Sequence, residues 1–210
     1  SLPTSTMVLL IVTITYKLVL VVLGLLVMIL RPEPVWELLK PIYGWCYLGI
    51  FLNVVCVFGM LILVFHPTLA SRIVLFCVRL FDRMFKTDKE KKYGERLERA
   101  MEKYRNAAEF FYKNIRVIIN VFLITCVQRF LLFAVTYLVY KSFMLNFTSA
   151  GVVITLQGMI SVAVDMLPLP GGLGISEKLF KDIFVQVCTK KYTLPVMIVS
   201  RGLSFYVQLG

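Results

Sequence analysis

Long apolar runs separated by short polar breaks dominate the chain. Residues 7–30 are interrupted by a single charge, Lys17, and residues 42–65 carry none. A third run, 115–140, holds Arg116 at its edge and Arg129 near its middle; a fourth, 149–167, reaches Asp165; the last, 192–209, is centred on Arg201. A bilayer core about 30 Å thick needs about 20 apolar residues in a helix. The pattern therefore predicts an all-α, polytopic membrane bundle with five membrane segments. Residues 7–30 are too long for the apolar core of a secretory signal and lack a small-residue cleavage site.

The polar interval between the second and third runs sets the orientation. Residues 66–116 hold 13 Lys/Arg against 7 Asp/Glu, far more basic residues than residues 31–41 or 141–148. The excess of basic residues on cytoplasmic loops places this interval, and the start of the chain, inside. Within it, Ile73, Phe76, Leu80 and Met84 recur every three or four positions beside Arg72, Arg79 and Arg83. That spacing predicts a basic amphipathic helix, lying either on the anionic leaflet or on the bundle's own cytoplasmic face. Tyr93, Leu97, Ala100, Tyr104, Ala107 and Phe111 predict a second helix, supported by Glu95–Arg99 and Glu109–Lys113. Residues 66–114 thus read as a cytoplasmic helical hairpin. His66, before Pro67, reads as an interfacial cap.

The pattern breaks at residues 168–174, where two prolines and three glycines fall in seven positions. Proline removes a donor and blocks the preceding turn, and glycine costs about 1 kcal/mol per helical position. Ser176 then offers an N-cap, with Glu177 in the first turn. Leu179, Phe180, Ile183, Phe184 and Val187 form one apolar face, while Glu177–Lys181 and Lys178–Asp182 are spaced to pair on the other. The segment 168–188 is therefore expected to be a broken or re-entrant helix followed by a short one. Irregular backbone at membrane depth requires cover by protein or a wet cavity. Broken helices with free N-termini recur at mid-membrane sites for anions. A plain interfacial Pro-Gly turn is the competing reading.

Composition agrees with the pattern. Of the 210 residues, 59% are apolar and 17% charged, with mean hydropathy +0.83. A soluble domain averages about 25% charged residues, so a soluble enzyme, a disordered chain and a disulfide-stapled module are excluded. The net charge of +11 fits loops facing anionic lipid rather than nucleic-acid binding. Cys46, Cys56, Cys77, Cys126 and Cys188 all lie in apolar runs without a C-x-x-C pair, and read as reduced thiols. Neither a metal cluster nor a cofactor motif is present in the sequence, nor a carboxylate pair or nucleophile motif suited to hydrolysis. A chain that begins at Ser1 and stops at Gly210 within an apolar run reads as a piece of a longer protein, here one membrane domain over residues 1–210.

Ionisable groups at membrane depth cost about 2.5–3.5 kcal/mol each on insertion scales, so each calls for a reason. Lys17 is near enough to one end of its run to snorkel. Arg129 and Arg201 are central. They either pair with Asp165 or Glu177 to hold the bundle together, or present a guanidinium fork to a lipid phosphate.

The stretch Pro168-Leu-Pro-Gly-Gly-Leu-Gly-Ile-Ser-Glu177, followed by Ser200-Arg-Gly-Leu-Ser-Phe-Tyr206, resembles the lysylphosphatidylglycerol synthase transmembrane family, the membrane part of the bacterial multiple peptide resistance factor. The motif residues fall on Pro170, Gly171, Gly172, Gly174, Glu177 and Arg201. Two family features are missing here: an earlier Gly-Gly-Gln-Pro stretch, and the soluble acetyltransferase-like domain that moves an aminoacyl group from tRNA to phosphatidylglycerol. The resemblance implies a multi-pass protein of the bacterial cell membrane that flips anionic or aminoacylated phospholipid, giving resistance to cationic peptides. Arg129 and Arg201 would hold the phosphate, Asp165 and Glu177 would balance them or take an ammonium group, and Lys17 would complete the lipid-binding set. A lysyltransferase whose catalytic domain lies outside this chain is the enzymatic alternative, and a non-catalytic membrane scaffold the third. Phospholipid and membrane are the expected partners, no cofactor is expected, and a homo-oligomer is left open.

Overall fold

The computed structural model describes residues 2–65, 114–167 and 174–209. The predicted cytoplasmic hairpin (66–113) and most of the Pro-Gly break (168–173, with Pro170, Gly171 and Gly172) lie outside the described residues. Everything described is helix or short connection, and no strand occurs among the described residues. The order is α1 (Leu2–Leu30), α2 (Val35–Leu39), a 3-10 turn (Lys40–Ile42), α3 (Tyr43–Phe65), α4 (Ile115–Ser142), α5 (Ala150–Val164), α6 (Ile175–Phe184) and α7 (Lys190–Leu209). By length and composition three stretches could cross a membrane: Ile11–Leu30, Val35–Ile62 and Ile115–Ser142. Helix α5 has 15 residues, about 22 Å at 1.5 Å per residue, and α7 carries Pro195 and Arg201 within it.

The chain divides into two compact units, residues 1–15 with 55–121 and residues 16–54 with 122–210. In the first, Ile11, Ile14, Thr15 and Val57 are buried, while Val8, Leu9, Phe58, Ile115 and Ile119 are exposed. The second holds the main core. There Leu39, Ile42 and Cys46 meet Leu156, Met159 and Ile160 of α5 and Leu179, Phe180, Ile183 and Phe184 of α6. A smaller cluster joins Leu20, Ile50, Phe133 and Val162. Outward-facing apolar residues such as Leu26, Phe51, Leu131 and Leu138 remain exposed. Such a surface suits hydrocarbon, which offers no penalty to apolar side chains.

Local chemistry ends the helices where polar residues begin. Helix α1 stops with Arg31 in the left-handed region (φ 43°), its N–H bonding Val27 O at 3.0 Å, and Pro32 cannot extend the helix. The Tyr43 hydroxyl donates to Trp36 O at 2.6 Å, and their rings lie 4.5 Å apart. Helix α4 ends before Met144 (φ 58°), and the Tyr140 hydroxyl accepts from Phe147 N and Thr148 N at 2.9 and 3.1 Å.

Helix α6 follows the predicted amphipathic pattern, with Leu179, Phe180, Ile183 and Phe184 at most 1% exposed. Phe180 and Phe184 stack at 4.0 Å. Two details differ from the sequence expectation. The N-cap is Gly174, not Ser176, because the chain enters the helix at φ 85°, a region that glycine adopts without strain. Ser176 is buried within the first turn instead. Neither Glu177–Lys181 nor Lys178–Asp182 forms an ion pair among the described residues. Exposed i,i+4 pairs are worth only a few tenths of a kcal/mol, too little to order two long side chains.

Two helices approach closely beside the end of α5. A Cβ on Gly49 of α3 would stand 2.4 Å from Val162 O and 2.6 Å from Ala163 Cα. Small residues let membrane helices touch backbone to backbone. Asn53, one turn on and fully buried, donates to Gly49 O at 2.9 Å and Val162 O at 3.3 Å. This contact fixes the helix end from which Asp165 projects.

Candidate functional site

Asp165 follows α5, its N–H bonded to Ser161 O at 3.0 Å. The C-terminal end of a helix dipole disfavours a carboxylate, so Asp165 needs donors. Two come from adjacent positions of α1. The Lys17 ammonium pairs with Oδ2, and the Tyr16 hydroxyl donates to Oδ1 at 2.7 Å. The two side chains of the ion pair are 9% and 11% exposed. Lys17 therefore does not snorkel; it spends its charge on a residue 148 positions away.

Arg129, from the middle of α4, lies against the other side of Tyr16. Its guanidinium carbon stands 4.1 Å from the ring centre, close enough for a cation–π contact. The predicted alternative, an ion pair of Arg129 with Asp165, is not formed: Lys17 and Tyr16 already hold one oxygen each. Arg129 Nε is buried and has no hydrogen-bond partner among the described residues. Two cations against one carboxylate leave the cluster one positive charge in excess. Arg129 also borders a cavity of about 350 Å³ whose other walls, including Val19, Leu23, Phe130, Phe133 and Ile154, are almost wholly apolar.

Arg201, on α7, is half-buried, and its Nε too is buried without a partner among the described residues. Glu177, in the first turn of α6, acts on it electrostatically without closing an ion pair. Gly174 is exposed, and its contribution is the backbone turn that starts α6. A second cavity, about 440 Å³ and lined by Pro41, Lys181, Asp182 and Lys190 among others, contains none of the predicted site residues.

The structure thus joins Lys17, Asp165 and Arg129 in one cluster and places Glu177 within electrostatic reach of Arg201. It adds two groups that the sequence reading missed. Tyr16 carried a usable signal: a tyrosine inside an apolar run must find a partner for its hydroxyl when buried. Asn53 carried the same kind of signal, a lone amide in a run without charge.

Apolar helices of spanning length, with lysine, arginine and aspartate gathered inside them, define an α-helical integral membrane protein. The model of the family described as the lysylphosphatidylglycerol synthase TM region matches residues 1–210, and the chain belongs to that family. No curated protein and no solved structure matches it.

Proposed function

We propose that the chain binds an anionic or aminoacylated phospholipid and moves it across a bacterial cell membrane, with residues 66–114 on the cytoplasmic side. The observation that carries this reading is Arg129. Its Nε is buried without a partner among the described residues, in the middle of a span-length helix and beside an apolar cavity of about 350 Å³. A desolvated guanidinium is costly unless its donors are used, and a lipid phosphodiester supplies planar, bidentate acceptors. The apolar cavity wall suits the lipid's hydrocarbon. Arg201 is the second phosphate ligand, and Glu177 beside it receives an ammonium group. Asp165, with both oxygens engaged, balances charge rather than binding cargo. By family, the outcome is an outer leaflet with less negative charge and resistance to cationic peptides.

The test is translocation of a fluorescent phospholipid by the purified chain in liposomes. Arg129→Gln and the Glu177→Ala/Arg201→Ala double variant are each expected to slow transfer about tenfold or more, the scale of losing one charge-assisted contact of about 1.5–3 kcal/mol. Wild-type transfer by both variants would reject the assigned roles.

A further inference from the structure

The Tyr16 side chain touches two opposite charges of the cluster, Arg129 and Asp165. Tyr16 gives its ring face to Arg129 at 4.1 Å and its hydroxyl to Asp165 at 2.7 Å. Lys17, the next residue on α1, fills the remaining carboxylate oxygen. Left to itself in a medium of low dielectric, a guanidinium close to a carboxylate would close a bidentate ion pair. Here it does not, and its Nε is left without a partner among the described residues.

We propose that Tyr16 is a positioning residue that insulates Arg129 from Asp165 and so keeps the arginine free for a phosphodiester. The inference rests on the reading of Arg129 as a phosphate ligand. The ring face holds the guanidinium from one side at small electrostatic expense, since a π face attracts the cation without neutralising it. The Nε donor stays unclaimed by the protein's described residues. The hydroxyl and Lys17 each engage one oxygen of Asp165, which weakens it as a competitor. Without the ring, the arginine would collapse onto the carboxylate and its donors would be lost to binding.

The discriminating experiment measures binding rather than transfer. The full chain is reconstituted in phosphatidylcholine vesicles, and spin-labelled phosphatidylglycerol is compared with spin-labelled phosphatidylcholine for the fraction immobilised at the protein. Tyr16→Leu is expected to lower the preference for phosphatidylglycerol to the level of Arg129→Gln, a drop of about tenfold. Tyr16→Phe, which keeps the ring, loses less. In an Asp165→Asn background, Tyr16→Leu has little further effect, because the competing carboxylate is gone.

If Tyr16→Leu lowers the preference equally with Asp or Asn at position 165, the ring serves Arg129 without acting against the carboxylate and insulation is wrong. If Tyr16→Leu keeps the wild-type preference while Arg129→Gln loses it, the Tyr16 role falls and the Arg129 reading stands. If Arg129→Gln itself keeps the preference, both fall. Helicity and elution profile, matched across variants, exclude misfolding as the source of a loss.

Discussion

Two regions of the molecule bury helices in opposite ways. Helix α6 docks through Leu179, Phe180, Ile183 and Phe184, none more than 1% exposed, a face held by area and shape alone. Around Asp165, α1, α4 and α5 meet through Lys17, Tyr16 and Arg129, with one charge unbalanced and one guanidinium nitrogen unpartnered among the described residues. An apolar contact of the first kind would hold α1 to α5 equally well, since replacing a buried ion pair by apolar groups is often neutral or stabilising. That the charged solution is present at all points to a purpose other than stability. The α6 region teaches what this fold needs in order to stand, and the Asp165 region what it retains at a cost.

The comparison can be broken at either end. Lys17→Met removes the cation paired with Asp165 and is expected to destabilise the protein by about 3 kcal/mol, the low end for a broken buried pair because the Tyr16 hydroxyl still donates to the carboxylate, read as a fall in the thermal midpoint in detergent. Adding Asp165→Leu should recover most of that stability. Failure of the double variant to recover stability would mean the pair itself holds the helices. Phe184→Ala, in the other region, is expected to lose about 3 kcal/mol, at the low end for a buried ring because its stacked partner Phe180 can relax into the space. Transfer per folded molecule should be retained.

Gly49→Ala sharpens the link between packing and site. Its Cβ would meet the α5 backbone at 2.4 Å, and overpacking of this kind costs about 1–3 kcal/mol. Because the obstacle is backbone, α5 must move and carry Asp165 with it, so transfer should fall with stability. A Gly49→Ala variant with normal transfer would show that the position of Asp165 is tolerant. The smallest effect is expected at Lys40, paired with Glu37 on the exposed turn, the two side chains 58% and 54% exposed. Lys40→Ala should leave the thermal midpoint unchanged, since solvent screens such pairs.

Much of this architecture was legible before any coordinates. Apolar runs near residues 7–30, 42–65 and 115–140 became α1, α3 and α4, and the 3.6-residue spacing of Leu179, Phe180, Ile183 and Phe184 became the buried face of α6. Lys17, Arg129 and Asp165 were singled out by depth alone. Their pairing was not legible: Arg129 was weighed against Asp165 and Glu177, and the partner Asp165 took was Lys17, with Tyr16 unnoticed beside it. The cap of α6 lies two residues before Ser176, because a positive φ at Gly174, invisible in the composition of the turn, starts the helix there.

What the amino-acid order determined by itself was membrane residence and helicity, because the thickness of hydrocarbon and the cost of an unpaired backbone group act on local runs of residues. Family membership was also written in it. The tertiary structure alone decided which charges meet, since Lys17 and Asp165 stand 148 positions apart and their encounter depends on the closeness of α3 to α5 at Gly49. A lone intramembrane charge announces that some partner is required; only the packing of the helices selects which one it receives and which cation is left over.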